Sequence, residues 1–218
     1  MATDIGEHQI ERMPVNDAFA KPASDEAFER AAAALRAHKV EVVVVADAAA
    51  AREAVLALIP EGAEVGGGAS ATMEAIGVTE VIERSGRYDA VRPRTRAMDR
   101  AAQMREIHKL GAAPDFFVNS VAALAEDGTM VVASATGSQL GPIAFGAGRL
   151  ILVVGPQKVV ADLDMGLRRV REYCLPLEDA DMQRLYGARS AINKLLVFNA
   201  EAREGRTTVV MVREPVGR

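Results

Sequence analysis

The sequence has 218 residues, 50 % of them hydrophobic and 26 % charged, which is enough chain for one large domain and an ordinary composition for a globular protein. A formal net charge of −4 gives no global positive field to attract nucleic acid, and the single cysteine, Cys174, excludes an internal disulfide or a four-thiolate metal site within one chain. No signal-peptide pattern and no membrane-spanning apolar run is present, so we expect a cytoplasmic protein without membrane insertion.

Residues 1–23 carry alternating charges and two prolines, which predicts an N-terminal arm or frayed helix before a single domain over residues 24–218. Helix and strand patterns alternate through that domain, which predicts an α/β fold with a mostly parallel central sheet flanked by helices. The helix patterns begin after Ser24, as an N-cap, and cover Ala48–Leu58, Thr95–Leu110 and Asp162–Cys174. The strand patterns cover Val40–Ala46, Ala63–Val65, Asp115–Val118, Met130–Ala133, Leu150–Val154 and a closing pair, Leu195–Phe198 and Thr207–Val212.

The strand Val40–Ala46 is almost continuously β-branched, a pattern typical of a strand covered on both faces inside a parallel sheet. In open α/β sheets, ligands bind beyond the carboxyl ends of the strands. Three loops of this sequence follow predicted strands or precede predicted helices, and we therefore consider them together as one candidate site.

The first loop contains three consecutive glycines before a short predicted helix. Glycine can take positive φ and lets a ligand approach the main chain closely, and the hydroxyl groups that follow would lie at the helix N-terminus. This pattern favours a loop that binds phosphate or carboxylate, although it matches neither the P-loop nor the GxGxxG motif. The alternative is a tight turn with a serine N-cap. The predicted binding residues are Gly66, Gly67, Gly68, Ser70 and Thr72.

The second loop surrounds a predicted hairpin within "NSVAALAEDGTMVVASATGSQ", residues 119–139. An Asp-Gly turn explains Asp127 and Gly128 without any further role. The carboxylate of Glu126 could act as a general base or nucleophile in a desolvated cleft. After the second strand, a small polar segment exposes its backbone and adds the candidate binding residues Ser134, Thr136, Gly137, Ser138 and Gln139.

The third loop, "GPQKVVADLD", places Lys158 at the carboxyl end of a buried strand. There it could pair with an anion held by the first loop, the alternative being a surface lysine that covers the sheet edge. We expect Arg168, Arg169 and Arg171 on the solvated side of the next helix. Cys174 falls on the apolar stripe of that helix and is expected to be a buried, inert thiol.

No metal site is predicted, since His8, His38 and His108 are scattered without ligand spacing. The basic stretch from Arg92 to Lys109 is interpreted as the solvated face of a helix rather than a polyanion site. Motifs of serine hydrolases and zinc proteases are also missing from the sequence. Hydrolysis by a metal or by a serine nucleophile is therefore poorly supported.

Four segments, in this order, resemble the LUD domain, the lactate-utilisation family of lactate utilization protein C: "GGGASATMEAIGV", "NSVAALAEDGTMVVASATGSQLGPIAFG", "VVGPQKVVADLDMGLRRVR" and "GRTTVVMVREPVG". The resemblance covers roughly residues 25–217. It implies a fold like that of ribose-5-phosphate isomerase, the glucosamine-phosphate deaminases and the CoA transferases. It also implies a link to the oxidation of L-lactate to pyruvate beside iron–sulfur partner subunits.

The resemblance also implies site residues. The Gly-Ser-x-Thr motif of the family falls on Gly68, Ser70 and Thr72, shifted by Ala69. Its second motif, Asn-x-x-Ala-x-x-x-Asp-Gly, falls near Asn119, Ala122, Glu126, Asp127 and Gly128, and its Asn-Lys-Ile-Val motif falls on Gln157, Lys158, Val159 and Val160. Two features differ. Gly137, Ser138 and Gln139 stand where many short members have Gly-Asn-Arg, and the cysteine cluster of those members is missing.

From these patterns we expect a pocket for a small anionic metabolite such as lactate or pyruvate, with Lys158 as counter-charge and Glu126 as acid–base. No cofactor is expected within the chain, and iron–sulfur clusters are expected only in partner subunits. Two alternatives stay open: an isomerase-like or CoA transferase-like enzyme that uses Glu126, and a non-catalytic metabolite-binding or regulatory module. A homo-oligomer is compatible with all three.

Overall fold

Two β-sheets and the helices that cover them form the computed structural model of the protein, which describes residues 12–218. The first part of the predicted arm and His8 lie outside the described residues. Within residues 12–218, the strands are β1 (Glu41–Val45), β2 (Glu64–Gly67), β3 (Asp89–Ala90), β4 (Phe116–Ser120), β5 (Ala123–Ala125), β6 (Met130–Ser134), β7 (Arg149–Val154), β8 (Val159–Val160), β9 (Lys194–Phe198) and β10 (Thr207–Val212).

The helices of the same residues begin where short polar side chains can cap them. Ser24, Asp47 and Asp162 each accept a hydrogen bond from the backbone N–H three residues on, which satisfies a donor that the helix leaves free. The helices are α1 (Asp25–Ala37), α2 (Ala48–Ala57), α3 (Ala71–Ala75), α4 (Val78–Arg84), α5 (Val91–Ala97), α6 (Arg100–Ala112), α7 (Leu163–Arg169) and α8 (Leu175–Tyr186).

The central sheet contains six parallel strands in the order β1-β10-β7-β4-β2-β3, which confirms the predicted fold class. Successive side chains of a strand point to opposite faces, so β10 buries Val209 and Met211 on the face of α1 and Val210 and Val212 on the face of α2. The strand with the continuous β-branched pattern, β1, lies at the edge of the sheet and is only half buried. Its valines nevertheless pack on both faces, Val42 and Val44 against the core beside α1 and Val43 and Val45 against the core beside α2. The predicted cover on both faces is therefore confirmed, although the strand lies at the edge of the sheet.

A second sheet, in the order β8-β5-β6-β9, packs beside the central one. Its hairpin between β5 and β6 turns at residues 126–128, as predicted. The prediction that the last two strands pair with each other was wrong, since β9 pairs with β6 and β10 lies between β1 and β7. Burial explains the separation, because β10 is buried along its whole length whereas β9 forms an edge with exposed residues.

Two predicted helices have different bounds in the structure. The segment Thr95–Leu110 divides between α5 and α6, because Asp99 caps a new helix through its bond from the N–H of Ala101. The helix predicted to end at Cys174 continues through a π turn, Val170–Cys174, into α8. Pro176 has no N–H for the carbonyl of Glu172, which accepts instead from Asn16 N at 2.9 Å.

The arm also contributes to the packing where it is described. A single 3₁₀ turn, Asp17–Ala20, buries Phe19. The boundary between arm and domain stays a prediction. In the part of the chain that the structure describes, no helix has the length and apolar character needed to cross a membrane.

Candidate functional site

A cleft of about 400 Å³ opens between the two sheets, beyond the carboxyl ends of β2, β4 and β7. One wall comes from the loop after β2 and the start of α3, and the other from the end of β6, the π turn and α8. Most of the predicted site residues line this single cleft: Ser70, Thr72, Asn119, Ser134, Thr136, Ser138, Gln139 and Lys158. The structure therefore brings the three sequence loops together, whereas the lining does not include Gly66, Gly67, Gly68, Gly137, Gln157 or Glu126.

The three consecutive glycines do not form a loop that wraps a ligand. Gly66 and Gly67 belong to β2, and none of the three has positive φ. A Cβ on Gly66 would lie 2.8 Å from the Pro114 side chain, so this glycine allows close packing under the sheet. A Cβ on Gly68 would lie 2.7 Å from Gln139 Oε1 and 2.9 Å from Asn119 Nδ2. Only Gly68 therefore bears on the cleft, where it leaves room for two polar side chains.

Lys158 lies at the floor of the cleft, 2 % exposed. Its Nζ donates to Thr72 Oγ1 at 2.9 Å, to Ser120 Oγ at 2.9 Å and to the carbonyl of Val121 at 3.2 Å. Burial lowers the pKa of Lys158 to about 7, with further lowering by the nearby guanidinium of Arg169. Lys158 thus contacts Thr72 of the first loop, and its pairing with an anion held by that loop stays a prediction.

Arg169 lies behind the same floor and was placed on the solvated side of its helix by the sequence analysis. That prediction was wrong, since Arg169 is 0 % exposed. Its Nε donates to Gln157 O at 3.1 Å and its Nη1 to the carbonyl of Ala122, while Nη2 has no partner among residues 12–218. A helical repeat of Gly166, Arg169 and Tyr173 beside the apolar stripe could have revealed this buried face.

The two arginines at the rim of the cleft differ from the floor cations, because both have carboxylate partners. Arg189 Nε donates to Asp179 Oδ1 at 2.9 Å, and Ser190 N donates to the same oxygen at 2.7 Å. Burial acts to raise the pKa of Asp179, but these hydrogen bonds outweigh it and lower the pKa. Arg218 pairs with Glu178 and, at 2.6 Å, with Asp181.

Neither floor cation has such a partner. No carboxylate of residues 12–218 lies within ion-pair distance of Lys158 or Arg169, and their acceptors are hydroxyl groups, carbonyls and one thiol. Buried charges in proteins are normally paired, because an uncompensated charge away from water is costly. The positive charge at the cleft floor is thus left without an internal counter-ion.

Asn119 adds an unsatisfied donor to the same place. Its side chain lines the cleft at 3 % exposure, and its Nδ2 has no hydrogen-bond partner among the described residues. A buried donor without an acceptor costs free energy, and in a cleft either water or a ligand can supply the acceptor.

The polar loop after β6 is held by its own side chains. Ser134 Oγ accepts from Gly137 N at 2.8 Å, and Gln139 Nε2 donates to Ala133 O at 2.8 Å. Thr136 and Ser138 hydroxyl groups bond each other at 3.1 Å. Gly137, with φ +88°, turns the loop. The loop is thus a formed wall of the cleft.

Gln157 supports the site from outside. Its Nε2 donates to the carbonyl of Val216 at 2.8 Å and fastens residues 216–217 beside Thr72. A Cβ on Gly217 would lie 2.6 Å from Thr72 Cα, and Gly217 has φ +67°. The tail therefore packs against the first turn of α3, and the structure gives Gln157 a positioning rather than a binding place.

Glu126 lies away from the cleft. β5 runs outward from Ala122 on the cleft wall, and four residues of extended chain span about 13 Å. At the hairpin turn its carboxylate pairs with Arg30 Nε at 2.7 Å. The acid–base role of Glu126 therefore stays a prediction that its position does not support.

Cys174 differs from the sequence-based expectation in its surroundings. The thiol is half-buried and lines the cleft instead of packing in the core, and its Sγ lies 3.1 Å from Arg169 Nη1. No group of three or more His, Cys, Asp or Glu side chains that could hold a metal is found within residues 12–218.

Similarities to known proteins bear on this fold. A structure of a DUF162 family protein from Deinococcus radiodurans is 13 % identical to this chain with a TM-score of 0.53, and the similarity covers 88 % of this chain and 99 % of that one. At this identity the similarity shows the fold alone. No match is found among curated proteins. The family model of the LUD domain matches residues 28–214. The chain therefore belongs to the LUD domain family, as the resemblance of its motifs predicted.

Proposed function

We propose that the cleft binds a small organic anion, a carboxylate or phosphate, and that the protein serves lactate utilization, the process with which its family is associated. The observation that carries the proposal is the pair of buried cations, Lys158 and Arg169, without a carboxylate partner in the described chain. An anion in the cleft would supply the missing negative charge.

The distribution of charge supports this proposal over a generally basic surface. Carboxylates already neutralise Arg189 and Arg218 at the rim. The imbalance is therefore confined to the floor, where a ligand would meet the ammonium of Lys158. The amide of Asn119 needs an acceptor there, and a carboxylate or phosphate oxygen would supply one together with the negative charge that the floor lacks.

Lactate and pyruvate are the substrate class that the family association favours. Oxidation of lactate to pyruvate removes two electrons, which need an acceptor. An iron–sulfur cluster does not fit this chain alone, since such clusters are held by several cysteine thiolates and the sequence has one cysteine. The proposal therefore assigns anion binding to this chain and electron transfer to iron–sulfur partner proteins.

A thermal-unfolding screen tests anion binding directly. Wild-type protein is heated with sodium lactate, pyruvate, phosphate, ribose 5-phosphate or acetyl-CoA, with sodium chloride at matched ionic strength as the control. A ligand at 100 times its Kd adds about 2.7 kcal/mol to the free energy of unfolding. We expect lactate or pyruvate to raise the midpoint beyond sodium chloride, while a larger rise with ribose 5-phosphate or acetyl-CoA would favour the alternative enzymes.

Matched variants connect the stabilisation to the cleft floor. Lys158→Met should lose at least tenfold in affinity by calorimetry, because a charge-assisted hydrogen bond to a buried anion contributes about 1.5–3 kcal/mol. Glu126→Gln and Lys109→Met change groups outside the cleft and should bind the anion as wild-type does. Absence of stabilisation by any of the anions, or unchanged affinity in Lys158→Met, would contradict the proposal.

Turnover separates the remaining alternatives. An enzyme that used Glu126 would lose activity in Glu126→Gln while it retained ligand binding. A binding or regulatory module would bind the anion both as wild type and as Glu126→Gln. It would form no reaction product, even with iron–sulfur partners and an electron acceptor added.

A further inference from the structure

The π turn gives the lone cysteine an unusual neighbour. Arg169 and Cys174 are five residues apart, whereas side chains in contact along an α-helix are three or four apart. The wider π turn, Val170–Cys174, brings Arg169 Nη1 to 3.1 Å from Cys174 Sγ. The sulfur therefore lies between a buried guanidinium and the open volume of the cleft.

The guanidinium of Arg169 has few partners besides this sulfur. Among residues 12–218, the Cys174 thiol is the ionisable acid group in hydrogen-bond contact with this guanidinium, while the ring of Tyr173 lies 4.9 Å from its Cζ. The guanidinium therefore offers an N–H donor directly beside the sulfur, which is the nucleophilic atom of cysteine. The remaining donor, Nη2, has no partner in the described chain.

A second, independent observation concerns the cleft that Cys174 lines. Asn119, buried and without an acceptor for its Nδ2, lines the same cleft as Cys174, and so does Lys158. The groups that would hold an anion and the group that could attack an electrophile thus share one volume of about 400 Å³.

Lys158 is the other nucleophile in the cleft, but the contacts favour Cys174. The amine is 2 % exposed, and three acceptors surround its Nζ. Cys174 is only half-buried, and its Sγ lies 3.8 Å from the nearest carbonyl, that of Ala122. A ligand can therefore reach the sulfur without the loss of a strong hydrogen bond.

We propose that Cys174 is a nucleophilic site for electrophiles that carry a carboxylate, and this proposal rests on the proposed anion binding. With iodoacetate, the sulfur forms a bond to the methylene carbon while the carbon–iodine bond breaks, iodide leaves and the thiol proton passes to solvent. With a 2-oxo acid, the sulfur adds to the carbonyl carbon and the carbonyl oxygen takes up the thiol proton. The resulting hemithioketal forms reversibly and needs neither an oxidant nor a leaving group.

Alkylation rates test the proposal in the intact chain. The rate with iodoacetate, which is an anion, is divided by the rate with iodoacetamide, which is neutral and of similar size. We expect this ratio to exceed the ratio for free N-acetylcysteine by about tenfold or more, because a charged cleft concentrates its counter-ion. Since the sequence contains one cysteine, intact mass gives the extent of labelling, and Cys174→Ser should gain none.

Two variants and a competitor assign the effect to the cleft. Lys158→Met should bring the ratio down toward that of free thiol, whereas Lys109→Met removes an exposed lysine and should leave it unchanged. Inorganic phosphate should slow labelling of the wild type by iodoacetate.

A ratio equal to that of the free thiol would overturn the proposal, as would a thiol that reacts only after unfolding in urea. Anion binding is measured separately by thermal unfolding. If phosphate or pyruvate still stabilised the protein in that case, the proposed anion site would stand and the nucleophilic role of Cys174 alone would fail.

Discussion

Replacement of Lys158 by methionine is expected to remove a pH dependence from the free energy of unfolding. In the folded protein, burial lowers the pKa of Lys158 from its ordinary value of 10.5 to about 7. At a pH between these two pKa values, Lys158 is protonated in the unfolded chain and deprotonated in the folded chain. Stability rises with pH wherever the unfolded state binds more protons, so this lysine makes the protein more stable as the pH increases above 7.

The magnitude follows from the two pKa values. Their difference corresponds to about 5 kcal/mol, at 1.36 kcal/mol for each pH unit. Below pH 7 both states are charged and the full cost of burying the ammonium is present, whereas above 10.5 both are neutral and this cost is absent. Between pH 7 and pH 9, the wild type should gain about 2 kcal/mol from this group.

Urea unfolding of wild type and Lys158→Met at pH 7, 8 and 9 measures the effect. The quantity compared at each pH is the free energy of unfolding of the wild type minus that of Lys158→Met, because other titrating groups contribute equally to both proteins. The methionine side chain removes the lysine donor from Thr72 Oγ1 and from the carbonyl of Val121, while Ser120 Oγ stays 3.4 Å from that carbonyl and keeps its bond to the carbonyl of Val153 at 2.6 Å. This cost is the same at every pH. A difference that stays constant from pH 7 to pH 9 would refute the reasoning, and Lys109→Met is the matched control.

Two further substitutions examine the cleft wall. Asn119→Leu removes a buried donor that has no partner, so urea unfolding should show unchanged or higher stability. Calorimetry of the same variant should show at least tenfold weaker binding of the anion. A large loss of stability would show that the amide has an internal role. Gly217→Ala places a Cβ against the backbone of Thr72 at a residue with φ +67°, so unfolding should require about 1–3 kcal/mol less than in wild type, and an alanine variant of full stability would contradict this packing.

Much of the fold follows from local patterns in the sequence. Ser24, Asp47 and Asp162 begin helices where short polar residues precede apolar spacing, and the Asp-Gly turn joins β5 to β6. Strand order was not accessible in the same way. A buried strand has the same hydrophobic sequence pattern whichever strands it pairs with. The residues Thr207–Val212 therefore do not show by themselves that the strand lies between β1 and β7.

The candidate site was predictable in its location but less so in its chemistry. The three loops predicted the location of the cleft, because the carboxyl ends of parallel strands meet at one edge of the sheet. The glycine pattern does not distinguish two causes, because a ligand near the backbone and a close neighbour such as Pro114 against Gly66 both require the absence of a side chain. Arg169 was missed because a charged residue on a helix is usually solvated, and only the π turn and the packing of that helix make its position buried.

The net charge of −4 illustrates why global composition cannot describe this site. That value excludes a broad positive field, and it is compatible with two buried cations whose effect is confined to a few ångströms. The rim pairs Arg189–Asp179 and Arg218–Glu178 are closed ion pairs and contribute little net charge to the cleft. Under the proposed function the floor would act differently, because Lys158, whose pKa burial lowers to about 7, would release its proton from an empty cleft and keep it beside a bound anion. Such a lysine would relieve its own cost of a buried charge between ligands, whereas Arg169 keeps its charge and relies on the carbonyls of Gln157 and Ala122.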